Sequence, residues 1–163
     1  MDKECTDIIE VAEGPTVCAP PGHHPTAVRE ESGYGMKVWV QQPYAEVLSA
    51  TRRVLDEEGL EVLTEIDVRR ILAEKLGAQF IHYTILGACS PAWMHQALET
   101  DIDVGLLLPC NIVIYEHEDG TIIEAVDPIA LLAIAGGREL TDLARVIKAK
   151  LQDVVDHVSL GSA

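Results

Sequence analysis

Short stretches of this chain alternate apolar and polar residues at the period of a half-buried strand, while the stretches between them repeat apolar residues at steps of three and four. Met36, Val38 and Val40 alternate with Lys37, Trp39 and Gln41, which predicts a strand. Pro43 suits a first helical turn, and Tyr44, Val47, Leu48, Val54 and Leu55 then lie on one side of a helix that Gly59 ends. Leu60, Val62, Thr64 and Ile66 alternate with Glu61, Leu63 and Glu65 in a second strand. Asp67 is placed to cap a helix with an apolar face of Val68, Ile71, Leu72 and Leu76 and a stop at Gly77.

Phe80 to Ala88 reads as a third strand. Ser90-Pro91 sets a capping hydroxyl before a proline, so a short helix should bury Met94, Ala97 and Leu98. Leu106 to Glu116 forms the longest strand candidate. Glu118-Asp119-Gly120 should reverse it, because Asp-Gly tolerates positive φ, and Thr121 to Val126 returns as its partner. Asp127-Pro128 repeats the cap-plus-proline device before Leu131, Leu132 and Ile134, with Gly136-Gly137 as the stop. Leu140, Leu143, Ile147, Leu151, Val154 and Val158 mark a long final helix that lays one face on the sheet.

This order implies an α+β two-layer sandwich, a mixed or antiparallel sheet of about five strands covered by helices. Residues 36–160 form that single domain. Residues 1–35 hold Pro15, Pro20, Pro21 and Pro25 among several glycines and read as an N-terminal extension with one short strand, dispensable for the main core.

With 12 basic and 27 acidic residues the chain carries a formal charge of −15. Arg52-Arg53 and Arg69-Arg70 are isolated pairs flanked by acids, so no basic stripe answers a phosphate backbone, and a nucleic-acid partner is not expected. Asp2, Glu4, Asp7, Glu10 and Glu13 argue against a secretory signal, and no apolar run reaches bilayer length. Cys5, Cys18, Cys89 and Cys110 are too scattered for a disulfide framework, which points to a reduced, cytoplasmic protein without a membrane contact.

The run Leu63-Thr-Glu-Ile-Asp-Val68, the block Ile85-Leu-Gly-Ala-Cys-Ser-Pro91, Ala97-Leu98, Gly105-Leu-Leu-Leu-Pro-Cys-Asn111 and Asp127-Pro128 occur in one order. Together they resemble the domain of unknown function 302 family over residues 36–158. The resemblance implies a small two-layer α/β domain with a TATA-binding-protein-like sheet, typically dimeric, and it brings no settled activity. Ser90 departs from the asparagine usual at that place in the family.

Candidate chemistry gathers at two junctions. Cys89 precedes a predicted helix start, where amides and the helix dipole favour a thiolate; equally, a small buried residue fits the corner beside Gly87 and Ala88. Cys110 opens a strand after Pro109. If the two strands are neighbours, both thiols can meet at one end of the sheet and bind a soft metal, handle sulfur or form a redox pair, with Tyr83, Gly87, Ser90 and Asn111 as further ligand contacts. Cys18, His23 and His24 form a candidate metal set that Cys5 or a distant residue would have to complete. His82 and Tyr83 point to opposite strand faces, and His95 and His117 are expected in solvent.

No nucleotide loop, nucleophile elbow or His-Glu-x-x-His is found. The reading is a dimeric module binding a small ligand, metal or haem near Cys89 and Cys110, its cofactor left open. The alternative is a thiol enzyme acting through Cys89, with Cys110 as resolving partner, on sulfur or peroxide substrates. Trp39 and Leu63 alternate away from the core, so a homodimer is expected through the sheet face that lacks helices.

Overall fold

In the computed structural model, which describes residues 27–161, the alternating stretches pair into one antiparallel sheet of six strands. The elements follow as β1 (Ala27–Glu31), β2 (Gly35–Val40), α1 (Tyr44–Glu57), β3 (Glu61–Asp67), α2 (Val68–Leu76), β4 (Tyr83–Cys89), α3 (Pro91–Thr100), a 3-10 segment (Ile102–Leu107), β5 (Cys110–His117), β6 (Gly120–Val126), α4 (Pro128–Leu132) and α5 (Arg138–Ser159). The strand order is β1-β2-β6-β5-β4-β3. β1 lies in the stretch read as an extension; it pairs with β2, and Arg29 ties it to Asp156 of α5 at 2.6 Å.

Register puts one row of side chains straight across the sheet. Val38 stands opposite Ile123, Ile123 opposite Ile114, and Ile114 opposite Thr84. A second row runs Met36, Ala125, Ile112 and Leu86. All are buried, and α1 and α5 pack over them with Val47, Val54, Leu55, Leu143, Ile147, Leu151 and Val154. Burying one such side chain contributes about 1.5–3 kcal/mol, whereas an exposed ion pair gives about 0.2–1 kcal/mol. The two apolar rows therefore outweigh surface pairs such as Arg53–Glu57 and Arg70–Glu74.

Several local expectations shift. The strand predicted from Leu106 begins at Cys110, because the Asp101 side chain caps the Asp103 N–H at 3.0 Å and starts a 3-10 turn instead; Leu106 is 90% exposed. The strand predicted from Phe80 begins at Tyr83. α2 starts at the Asp67 cap and stops at the left-handed Gly77 as predicted, yet none of its residues is buried. In the β5–β6 turn the positive φ falls on Glu118, at 51°, and not on Asp-Gly. Gly120 is needed for space: the Trp39 indole lies where its Cβ would be, and that indole N–H is buried without a partner among the described residues.

Asp127 locks the end of the sheet to two helices. Its carboxylate accepts the Ile129 N–H at 2.8 Å and the Lys148 ammonium of α5 at 2.7 Å. Burial pushes the carboxyl up, but Lys148 and the amides more than offset this, and the net shift is downward. A carboxyl depressed in the folded state adds stability above its unfolded pKa and loses it as pH falls through the folded value. Asp127→Ala should cost about 1–2 kcal/mol at neutral pH. Urea unfolding at falling pH should show that penalty shrink below the ordinary aspartate value of 3.8; a penalty constant across that range would refute the ion-pair account.

Candidate functional site

Cys89 and Cys110 end up on neighbouring strands. Cys110 pairs with Ala88, so alternation turns Cys110 into the core beneath the helices and Cys89, one residue on, to the opposite face. Both are buried free thiols. Burial pushes the Cys89 thiol up, with the Ser90 backbone pulling it back in part; burial pushes Cys110 up to about 12, and the nearby Cys89 adds to that. Thiolate is the reactive form, and no cation stands among the causes acting on either sulfur. The lowering by the Ser90 backbone at the helix start is outweighed by burial; Ser90 holds the N-cap position without a capping hydrogen bond from its hydroxyl, and the Cys89 thiol donates to the Ser90 carbonyl at 3.5 Å.

The small residues here answer to packing. A Cβ on Gly87 would lie 2.6 Å from the Pro109 ring and collide with the Thr64 hydroxyl, so Gly87 lets Pro109 close over β4. Asn111 is exposed on the same outer face, and Tyr83 stacks on Tyr115 with centroids 5.1 Å apart. Tyr83, Gly87, Cys89 and Asn111 thus share the outer face, spread along β4 and β5, while Cys110 lies beneath it.

A second grouping forms at the other end of β4, on the helix side. The first residue of α1, Tyr44, shares a 2.6 Å hydrogen bond between its hydroxyl and that of Thr84, and its ring stacks on His82 at 5.0 Å. Arg69 of α2 contacts His82 Nε2. The His82 N–H donates to Glu116 Oε2 at 3.0 Å, and the Glu116 N–H donates to the His82 carbonyl at 3.1 Å. Arg69, Gln79, Phe80, Ile81 and Glu116 line an open depression of about 500 Å³ beside it. A larger depression at the start of α5, lined by Gly137, Arg138, Thr141, Asp142 and Arg145, is a surface groove holding the exposed Arg145–Asp142 pair.

The sequence pattern marks His82 as a candidate with Tyr83, His95 and His117, but does not show that α1, α2 and β5 bring Tyr44, Arg69 and Glu116 to it. One clue was available: Phe80-Ile81 adds apolar residues ahead of the first paired residue of β4. His95 and His117 are exposed, beside Glu99 and Glu118. Cys18, His23 and His24 lie outside the described residues. Among the described residues no group of three or more His, Cys, Asp and Glu side chains converges on a metal position, and no helix is long and apolar enough to cross a membrane.

An open antiparallel sheet under one helical layer defines the chain as a two-layer α+β domain. The family model described as domain of unknown function DUF302 matches residues 36–158, and the chain belongs to that family. The crystal structure of an uncharacterized conserved DUF302 protein from Bacillus stearothermophilus is similar at 28% identity, with a TM-score of 0.72 over 76% of this chain and 97% of that one. No curated protein matches.

Two outcomes follow for the cysteine corner. Iodoacetamide should leave Cys89 and Cys110 unlabelled in the native protein at mildly alkaline pH and label both on unfolding, as peptide mass mapping would resolve; fast native labelling of Cys89 would reverse this conclusion. Gly87→Ala should destabilise the fold by about 1–3 kcal/mol, read as a lower urea midpoint, because Pro109 and Thr64 have to move.

Proposed function

We propose that this chain is a dimeric small-ligand-binding module in which two copies meet through the sheet face opposite α1 and α5. The observation that carries the dimer is the composition of that face. Alternation places Trp39, Ile122, Tyr115, Tyr83, Ile85 and Ile66 there, and its central strands carry Lys37 directly opposite Glu124 as a matched charge pair. On a chain of formal charge −15, the outer positions of β6, β5 and β4 carry Glu124 alone among Asp, Glu, Lys and Arg, with Lys37 opposite it and Glu61 at the β3 edge, so repulsion between two copies is low there. Leu63, expected to join it, falls at the irregularity between Val62 and Thr64 and is exposed.

Size is adequate. Six strands about 4.8 Å apart and six residues of about 3.3 Å rise give a face of about 500 Å² per copy, or about 1,000 Å² for the pair before side-chain relief, near the lower bound for a specific interface. The thiol-enzyme alternative draws less support, since burial raises both thiols and neither has a base or cation acting on it.

Light scattering on the full chain at micromolar concentration should give the dimer mass, and Val113→Glu, at the centre of the face, should give a monomer that still unfolds cooperatively. Trp39→Glu should act in the same direction, with an added stability loss because the indole packs over Gly120. A wild-type monomer, or a Val113→Glu chain that stays dimeric, would overturn this interface.

A further inference from the structure

The cluster around His82 holds charge in an arrangement that packing alone does not require. Arg29, Arg52, Arg53, Arg70, Arg145, Lys148 and Lys150 each meet a carboxylate. Arg69, like Lys75 and Arg138, meets no carboxylate among the described residues, and its contact is the imidazole of His82. A guanidinium only donates, so His82 Nε2 accepts and the ring proton sits on Nδ1. That contact occupies one edge of a planar group built for bidentate recognition of a carboxylate.

Glu116 faces the same depression, with Oε2 taken by the His82 N–H. Among the described residues Arg69 and Glu116 form no ion pair with each other, although both line one cavity in a chain where acids exceed bases by 27 to 12. Phe80 and Ile81, each 44% exposed, line the same depression as an apolar wall beside this donor and acceptor. Small-ligand sites typically combine such a wall with a few convergent polar groups.

We infer that this depression binds an apolar α-amino acid, its carboxylate on Arg69, its ammonium on Glu116 and its side chain against Phe80 and Ile81. The inference rests on the small-ligand half of the proposed function; His82, which Arg69 and Glu116 contact, sits with Tyr44 and Thr84 on the helix side of the sheet, away from the proposed dimer face, while Phe80 also packs on Tyr83 of the outer face with centroids 6.2 Å apart. Both charges of the ligand are required. A plain carboxylate leaves Glu116 unanswered, and a plain amine leaves Arg69 unanswered.

Titration of the ¹⁵N-labelled full chain with L-leucine tests this. Saturable shifts are expected at the amides of Arg69, Gln79 to His82 and Glu116. N-acetyl-L-leucine, which lacks the ammonium, and L-leucinamide, which lacks the carboxylate, should each bind more weakly by about tenfold or more. Arg69→Gln and Glu116→Gln should each weaken leucine to the same degree with spectra otherwise unchanged; should either fail to fold, the two derivatives still decide. No shift at about 10 mM leucine, or equal response to leucine and a derivative, overturns the inference. Saturable leucine shifts elsewhere overturn this site and leave the broader small-ligand reading standing, while Val113→Glu reports on the dimer separately.

Discussion

Everything in this fold depends on a sheet that is buried on one side by a single helical layer. Side chains on a strand alternate faces, so each strand entering under α1 and α5 must offer apolar residues at every second position and leave the others uncovered by those helices. Val38, Ile112, Ile114, Ile123 and Leu86 satisfy the first demand with near-complete burial. α5, of 22 residues, is about 33 Å long and packs on β2 and β6, while α1 packs on β3, β5 and β6, so the two helices share the cover of a sheet about 24 Å wide. The same geometry obliges the chain to present Trp39, Tyr115 and Ile85 on the other side, so an outer apolar face is a direct consequence of how the core is made.

Elements with both periodicity and punctuation were legible from sequence. α5 shows its buried stripe over many turns, and the Asp67 and Asp127 caps act where they were expected, accepting from Arg70 and Ile129 amides. The order of strands with a late hairpin narrowed the sheet to mixed or antiparallel, and the strand pairing makes it antiparallel throughout. What escaped was decided by tertiary context. Val68, Ile71, Leu72 and Leu76 have helical spacing, yet α2 rests against β4 without burying any of them. Leu106 and Leu107 have strand-forming neighbours, but a side-chain cap at Asp101 turns them into a 3-10 segment before Pro109. The short strand expected within residues 1–35 is β1, and what its sequence does not show is its place in the sheet, where pairing with β2 rather than its own periodicity holds it.

The cysteine corner shows why residue type misleads when neighbours are unknown. A thiol ahead of a helix start gains from amide donors only if they reach it and if solvent or cations support the charge. Here burial outweighs the pull of the Ser90 backbone and no cation is among the causes acting on the sulfur, the helix cap leaves its hydroxyl unused, and Gly87 admits the Pro109 ring. A run of small residues and a proline close a gap. The features that suggested chemistry are the features of tight packing between β4 and β5.

Polar chemistry gathers instead where the helical cover thins, and solvation explains why. A guanidinium fully inside the core would lose several kcal/mol of hydration that one imidazole could not restore. On the open surface its interactions would be screened to about 1 kcal/mol or less. Arg69, His82 and Glu116 sit between these limits, each partly buried, with Tyr44 and Thr84 anchoring the imidazole from the core side. Such a margin holds side chains in fixed positions through neighbours that are themselves packed, and still leaves donors and acceptors reachable from solvent. The exposure of α2 belongs to the same arrangement: a helix that buried its apolar face against β4 would carry Arg69 into the core, so the thin cover that made α2 hard to foresee keeps the depression open.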